Sequence, residues 1–409
     1  MSGIRVLSME QAVALPFATR HLADLGADVI RIQSHKRRSP GTGEIDLTRN
    51  KRQLAIDLAA PGGRDIFLRI ARECDVVAHN FTPRVVRQFG IDYEGVRRVR
   101  PDVIYVSLTG FGTTGPWGER PLFGPGAEAV AGHNLLIGDP DAWPGRPGTN
   151  VYGDVVCGMN ATFAVLAALE ERERTGRGQH IDISLYETAV SFLGPVIAAA
   201  QLGAEPRRLA NQDANFAVHG VFDCAGTDRH IALAVRSDQM DDLAAALGIT
   251  EPSAAAVQQA LASMDADTAT SKLQARGIAA HVVSDAADVV NDEHLWSRRY
   301  FATVERSFTG KPELYAHAGP AWGGGPLVPL QEAHPLGADT AVILREIGGY
   351  SDEEVAEFAR ADVIGLGERD QFRGWPAPDP VRVTRGELSR IEPDHDGWKR
   401  FARPAEAAR

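Results

Sequence analysis

The first hundred residues alternate between short apolar runs and helix-patterned segments, a rhythm that few folds accept. Ile4–Ser8 reads as a strand, Pro16–Gly26 as a helix with Pro near its start and Gly at its end, and Asp28–Gln33 as a second strand. Gln53–Leu58 gives another strand, Pro61–Glu73 a helix with Ile66, Phe67 and Ile70 on one side, and Asp75–Ala78 a further strand. A helix ending near Arg100 precedes the strand Asp102–Leu108. Strands that alternate with helices in this way imply a mostly parallel sheet covered on both faces, an α/β fold.

Residues 109–150 are rich in Gly and Pro and lack periodicity, so they read as a long functional loop region over the sheet. Gly110-Phe-Gly112-Thr-Thr-Gly115 matches the G-x-G-x-x-G pattern, but it follows a late strand and Pro116 interrupts the helix that dinucleotide binding requires. Further on, His180–Ser184 reads as a strand, Tyr186–Ala200 as one buried helix and Gln201–Asn215 as a linker. Val221–Cys224 and His230–Val235 flank a hairpin turn, and helical patterns at 238–248, 254–264 and 267–276 give this portion an α+β character. Ser351–Glu354 is a capping box opening a helix through Arg360, while Gly323–Gly325 is a structural loop. The expected organisation is a large domain over 1–205, a linker over 206–220, a smaller α+β domain over 221–320, a return to the large domain over 321–365, and an extension over 366–409.

With 409 residues the chain is long enough for two domains, and its net charge of −11 argues against a nucleic-acid partner. No uninterrupted apolar run reaches membrane-spanning length and Met1–Arg5 shows no signal-peptide pattern, so the expectation is a cytoplasmic protein with no membrane partner. Cys74, Cys157 and Cys224 are odd in number and far apart, and the histidines form no ligand-like cluster, so neither disulfides nor a metal site is expected.

The stretch that carries chemistry is Gly148–Asn160, leading into an Ala- and Leu-rich helix that stops at Thr175–Gly176, with Asp154 at its entrance. Unpaired backbone N–H groups and the positive end of the helix dipole favour an anion there. The commoner role for such a carboxylate is a helix cap. The functional one is a nucleophile that attacks a carbonyl carbon, and spacing alone does not choose. Cys157, one turn further on, is an alternative nucleophile, though a small buried thiol is the more usual role.

Several stretches together resemble the family III CoA-transferases, also called the CaiB/BaiF family: Leu15–Thr19, Leu22–Ile30, Arg49–Arg52, Ile56–Leu58, Asn80–Pro83, Ser107–Pro116, Arg174–Gln179, Pro335–Thr340 and Gly349–Glu354. The resemblance spans most of residues 3–365. It implies a Rossmann-like large domain built from both chain ends, a smaller domain, and a homodimer of protomers interlinked like rings. It also implies that Asp154 is the nucleophile, passing through aspartyl-anhydride and aspartyl-CoA intermediates to move CoA from an acyl-CoA to a small carboxylic acid, with no tightly bound cofactor.

By the same resemblance, Val13, Ile56, Asn80, Phe81 and Thr82 are expected to hold CoA, with Arg84 and Arg87 as candidates for its 3′-phosphate. A solvated helix face is the alternative for either arginine, and Gln88 stands where family members often carry the Arg. Leu15, Phe123 and Gly124 are expected at the substrate pocket. The chain departs from the family pattern at Val13 and Leu15, which replace smaller or polar residues, at Gln33 and His79, where Glu is common, and at Gly124, where Asp is usual. Two other readings stand beside transfer. A 2-methylacyl-CoA racemase would pair Asp154 with a His, and Phe123 occupies the matching place; His133 is the nearest loop histidine and reads better as structural. A weakly catalytic subunit of the same fold is the other.

Overall fold

A computed structural model describes residues 1–36, 43–145, 152–305, 312–316 and 329–367, with short pieces at 383–384 and 397–400. Gly148–Asn150, Gly323–Gly325 and most of the C-terminal extension lie outside the described residues.

In chain order the first half comprises β1 (Arg5–Met9), α1 (Ala14–Asp24), β2 (Asp28–Gln33), α2 (Gly43–Thr48), β3 (Lys51–Ile56), α3 (Gly63–Ala71), β4 (Val76–His79), α4 (Pro83–Phe89), α5 (Tyr93–Arg97) and β5 (Ile104–Thr109). Then come α6 (Gly124–Ala131), α7 (His133–Leu136), α8 (Tyr152–Thr175), β6 (Gln179–Ser184), α9 (Leu185–Ser191) and α10 (Gly194–Gln201). The remaining strands are β7 (Val218–Asp223), β8 (His230–Val235), β9 (Ala279–Val282), β10 (Phe301–Glu305), β11 (Pro312–Ala316) and β12 (Ile364–Gly365).

The main sheet runs β12-β3-β2-β1-β4-β5-β6, parallel throughout except for β12, which pairs antiparallel with β3 through Ile364 and Ile56. Its inner order, 3-2-1-4-5-6, is that of the Rossmann fold. Strands buried on both faces need apolar side chains pointing both ways, which is why the early strands read as runs rather than alternations. Leu7, Ile30 and Val77 face a layer that includes Ile66 and Phe67 of α3 and Ile343 and Leu344 of the helix Thr340–Glu346. Val6, Val29 and Val76 face the other, made by Ala18 and Leu22 of α1 and Ala161 and Val165 of α8. A Cβ on Gly158 would lie 2.6 Å from the Ala14 carbonyl oxygen, so α8 packs this closely on α1 because that residue has no side chain.

The late segment is tied to the sheet by hydrogen bonds as well as packing. The Asp339 carboxylate accepts from the Gln53 N–H (2.7 Å) and the Thr340 hydroxyl from the Ala55 N–H (3.0 Å). A separate antiparallel sheet, β7-β8-β9, carries its own core of Ile231, Leu233, Leu243, Val257 and Leu273, which makes the smaller α+β part. Ser351 and Glu354 exchange capping-box bonds of 3.2 and 2.7 Å at the start of the helix Asp352–Arg360, as the sequence pattern requires.

Two elements differ from the sequence reading. The segment after β5 is not all loop: it contains α6 and α7, and Gly124, Pro125 and Gly126 had hidden the first of these. Pro sits at the start of α6, where its missing N–H costs nothing. The helix read over 186–200 is two, α9 and α10, with Pro195 at the start of the second. Contrary to the hydropathy expectation, α8 is long and apolar enough by length and composition to cross a membrane, but one face packs on α1 and the sheet.

Beneath the sheet's upper rim lies a buried ionic cluster. Lys51 Nζ is 2.6 Å from Glu10 Oε1 and also donates to the Pro16 carbonyl and the Thr19 hydroxyl, while Arg31 Nε lies 3.6 Å from the same Glu10 oxygen. Burial alone would raise Glu10; Lys51 and Arg31 outweigh it and hold the carboxyl below its usual range. Replacing Lys51 with Met strands much of that charge, and urea denaturation is expected to read a loss of about 3–5 kcal/mol. A loss under about 1 kcal/mol would mean that Arg31 alone suffices to hold Glu10.

Candidate active site

In a 3-2-1-4-5-6 sheet the connections leaving β1 and β4 diverge to opposite faces, and a crevice opens at the carboxyl ends of those strands. Here the crevice is braced. Asn80, leaving β4, accepts from the Gln11 N–H (3.0 Å) and donates to the Gln11 carbonyl (2.7 Å), pinning the turn that leaves β1. Ala12 in that turn has φ +56, an uncommon left-handed conformation for a residue with a side chain. His79 Nδ1 accepts from the Phe81 N–H (3.3 Å) and its Nε2 lies 2.9 Å from the Ser107 hydroxyl, which reaches His180 at 2.9 Å. Burial, with His180 beside it, drops His79 to about 3, so it is a neutral spacer rather than a stand-in for a carboxylate.

A groove of about 880 Å³ opens from this crevice across β1, β2, β3 and α4. Val13, Ile56 and Phe81 line it, with Val85, Val86 and Phe89 of α4 and the end of β2 at Arg31 and Gln33. Gln33 Oε1 is buried and meets no hydrogen-bond partner among the described residues. Arg84, Arg87 and Gln88 are not on the groove wall. Helical periodicity turns 85, 86 and 89 inward and therefore 84, 87 and 88 outward, where Arg87 pairs with Glu119 and the Arg84 N–H meets the same carboxylate at 3.0 Å. Thr82 occupies the N-cap position of α4, its side chain makes no cap bond, and it too is off the wall. Asn80 holds Gln11, as described, and faces a second cavity.

That second cavity, about 30 Å³, has room for roughly one water. It is walled by Asp154, Asn80, Ala14, Leu122 and Leu185, and shares Gln11, Ala12 and Phe123 with the groove. Phe123, 61% exposed, is thus common to both spaces. Leu15 is not: it is buried in the α1 face of the sheet, so it lines neither cavity and the expectation of a substrate contact is corrected.

Asp154 lies in the first turn of α8 and is 4% exposed. Its carboxylate faces the backbone N–H groups of Gly124, first residue of α6, and Ala14, first residue of α1. Three helix N-termini therefore converge on one carboxylate, which caps two helices other than its own. Even so, the group is not held as a strong anion, as the helix-start argument implied. Burial raises it to about 6, and Glu128 adds to the rise against the opposing N–H groups. It is mostly ionised at neutral pH, and more basic than an exposed carboxylate. Gly124 takes part through what it lacks: a Cβ there would lie 2.0 Å from Asp154 Oδ2, so the Asp154 carboxylate fills the space of the missing side chain.

Two alternatives recede on the same geometry. Burial pushes the fully buried Cys157 thiol up to about 12, leaving it inert as a nucleophile. His133 is 9% exposed and its Nε2 lies 2.8 Å from the Ala189 carbonyl, a satisfied structural histidine. Among the described residues no cluster of His, Cys, Asp and Glu could hold a metal. Sequence reasoning missed Glu128 and, in the turn leaving β1, Gln11, Ala12 and Ala14, having singled out Val13 alone there; the order of the parallel strands, once known, points at the turn.

Residues 1–340 match CoA-transferase family III. The chain belongs to that family. As a family III CoA-transferase it is an enzyme, working on CoA thioesters and carboxylic acids. The transferase is similar to the succinyl-CoA–L-malate CoA-transferase beta subunit of Chloroflexus aurantiacus, 28% identical over 401 residues that span 89% of this chain and 98% of that one. It is also similar to the acetyl-CoA:oxalate CoA-transferase of Acetobacter aceti, 32% identical over 246 residues, 55% of this chain and 63% of that protein. A crystal structure of a CaiB/BaiF family protein from Brucella suis has the same fold, with a TM-score of 0.78 at 25% identity over 85% of this chain and 98% of that one.

Proposed function

We propose that the transferase moves CoA through covalent intermediates on Asp154. The Asp154 carboxylate attacks the thioester carbonyl of the donor, the C–S bond breaks, and a mixed anhydride and CoA thiolate form. The thiolate then attacks the Asp154 carbonyl carbon, giving an aspartyl-CoA thioester and releasing the donor acid. An incoming carboxylate repeats the sequence in reverse: it displaces the thiolate to form a second anhydride, and the thiolate attacks its acyl carbon and frees Asp154. No external base is required, because every nucleophile is already an anion, and each covalent step retains the energy that hydrolysis would dissipate.

The observation that carries this reading is the position of one basic, nearly buried carboxylate at the sheet's crossover crevice, beside a groove of about 880 Å³ and facing N–H groups from two helices. Those N–H groups are suited to holding the oxygen on which charge develops. The apolar wall of Ile56, Phe81, Val85 and Phe89 suits the nucleotide end of CoA, and Phe123 lies where a pantetheine arm would pass toward Asp154. Phe123 carries no proton, which disfavours the racemase reading. Acetyl-CoA and succinyl-CoA, named for the relatives' reactions, are the first donors to test against a panel of carboxylic acids. Quenching during turnover and digesting the protein is expected to give a CoA-adducted peptide containing Asp154, and turnover without any adduct there would refute the covalent route.

We further propose that the working form is a homodimer, its two chains interlinked. On α8, Met159, Phe163 and Leu166 are exposed at one-turn spacing, and α10 buries none of its residues although Val196, Ile197 and the alanines make it apolar. A second copy of this chain is the occupant that the family resemblance supplies. Phe163→Glu is expected to raise the monomer-sized fraction after refolding about tenfold, read by light scattering. Wild-type-like assembly in that variant would remove this face from the contact, and free exchange of folded monomers on dilution would rule out interlinking.

A further inference from the structure

We propose that Glu128 is the second carboxylate of this site, a positioning residue that holds the first turn of α8 and presses a like charge on Asp154. Glu128 projects from α6 and is fully buried. Its Oε1 accepts from the Gly153 N–H at 3.0 Å, the residue immediately before the nucleophile. Its Oε2 is also buried and meets no hydrogen-bond partner among the described residues. Gly153 allows the approach, since a Cβ there would already lie 3.3 Å from the Gly124 carbonyl oxygen and 3.5 Å from Glu128 Cγ.

A buried carboxylate with a single backbone donor is costly, because little replaces the water it loses. A glutamine would make the same bond to Gly153 without that cost, so what a glutamate adds is charge. The other groups around the pair do not neutralise it. From α8 there is Cys157, its thiol held protonated, with the Thr188 hydroxyl of α9 beside it; from α7 there is His133, bonded to the Ala189 carbonyl and packed on the Tyr152 ring; among the described residues, α1 and α6 bring the N–H groups of Ala14 and Gly124. The like charge makes Asp154 a stronger nucleophile once ionised, and Glu128 lies one helical turn beyond Gly124 on α6.

The inference rests on Asp154 being the nucleophile, and the test separates the two. In wild-type enzyme, adduct formation from succinyl-CoA or acetyl-CoA at Asp154 is measured by peptide mass; its absence overturns the nucleophile assignment. In E128Q, the acid limb of the kcat–pH profile is expected to move down by about one pH unit, with kcat at pH 8 lowered and KM for the CoA donor unchanged. An adduct in both proteins with the acid limb unmoved overturns the Glu128 role alone. If E128Q does not fold, carbon-13 titration of the Asp154 carboxyl in the wild type decides: a midpoint held near 6 supports the proposal, and one near 3.8 overturns it.

Discussion

Asp154→Asn is expected to abolish CoA transfer and at the same time to stabilise the protein at pH 8. On the proposed covalent route, loss of the Asp154 carboxylate should lower kcat on the order of 10⁴-fold or more, since Glu128 is fully buried against the Gly153 N–H and the Cys157 thiol stays protonated. Stability moves the other way. The Asp154 carboxyl is raised from 3.8 to about 6, so the folded state prefers its protonated form. That preference is fully present below about pH 4 and is lost as pH rises through 6, where the carboxylate ionises at the expense of the fold. Asn is uncharged at every pH and still offers an oxygen to the Gly124 and Ala14 N–H groups. The variant is therefore expected to gain about 1–3 kcal/mol over wild type at pH 8, with the difference shrinking toward pH 4, read by urea denaturation at both pH values. A variant less stable than wild type at pH 8 would mean that the N–H groups outweigh burial.

The second large effect is expected from the smallest change. Gly124→Ala puts a methyl group 2.0 Å from Asp154 Oδ2 and 2.6 Å from its Cγ, distances that no packing tolerates. The Asp154 Cβ–Cγ arm is the freest atom group there, so the carboxylate, rather than the backbone, should swing away. The expected result is a folded protein, within about 1–2 kcal/mol of wild type, whose kcat falls by about 10²-fold or more because, on the proposed route, an attacking carboxylate displaced by an ångström loses its alignment. Near-normal kcat would show that the carboxylate reacts from another rotamer.

The parallel sheet was legible because burial on both faces leaves compact apolar runs such as Val6–Leu7 and Ile104–Val106, and the Ser351 capping box because its bonds are local. What stayed hidden depended on tertiary placement. A Gly-Pro-Gly segment looks like loop until its proline is seen to start α6. The inward phase of α4 could not be read from Arg84, Arg87 and Gln88, because a seven-residue helix does not announce which side meets the sheet. Glu128 is a single acid in an alanine-rich stretch, without a sequence signal to single it out. The basicity of Asp154 was masked too: the helix start is visible in sequence and favours the anion, whereas the burial that outweighs it is not.

The pairing of β12 with β3 has a consequence for how the chain is made. The partner strand and the helix that covers Leu54 and Ile66 arrive about three hundred residues after β3 leaves the ribosome. Until then one margin of the sheet presents open backbone N–H and C=O groups beside an uncovered apolar layer, the kind of surface that recruits other strands. The sheet cannot close until Gly365 has emerged, and over that interval newborn chains are exposed to pairing with one another.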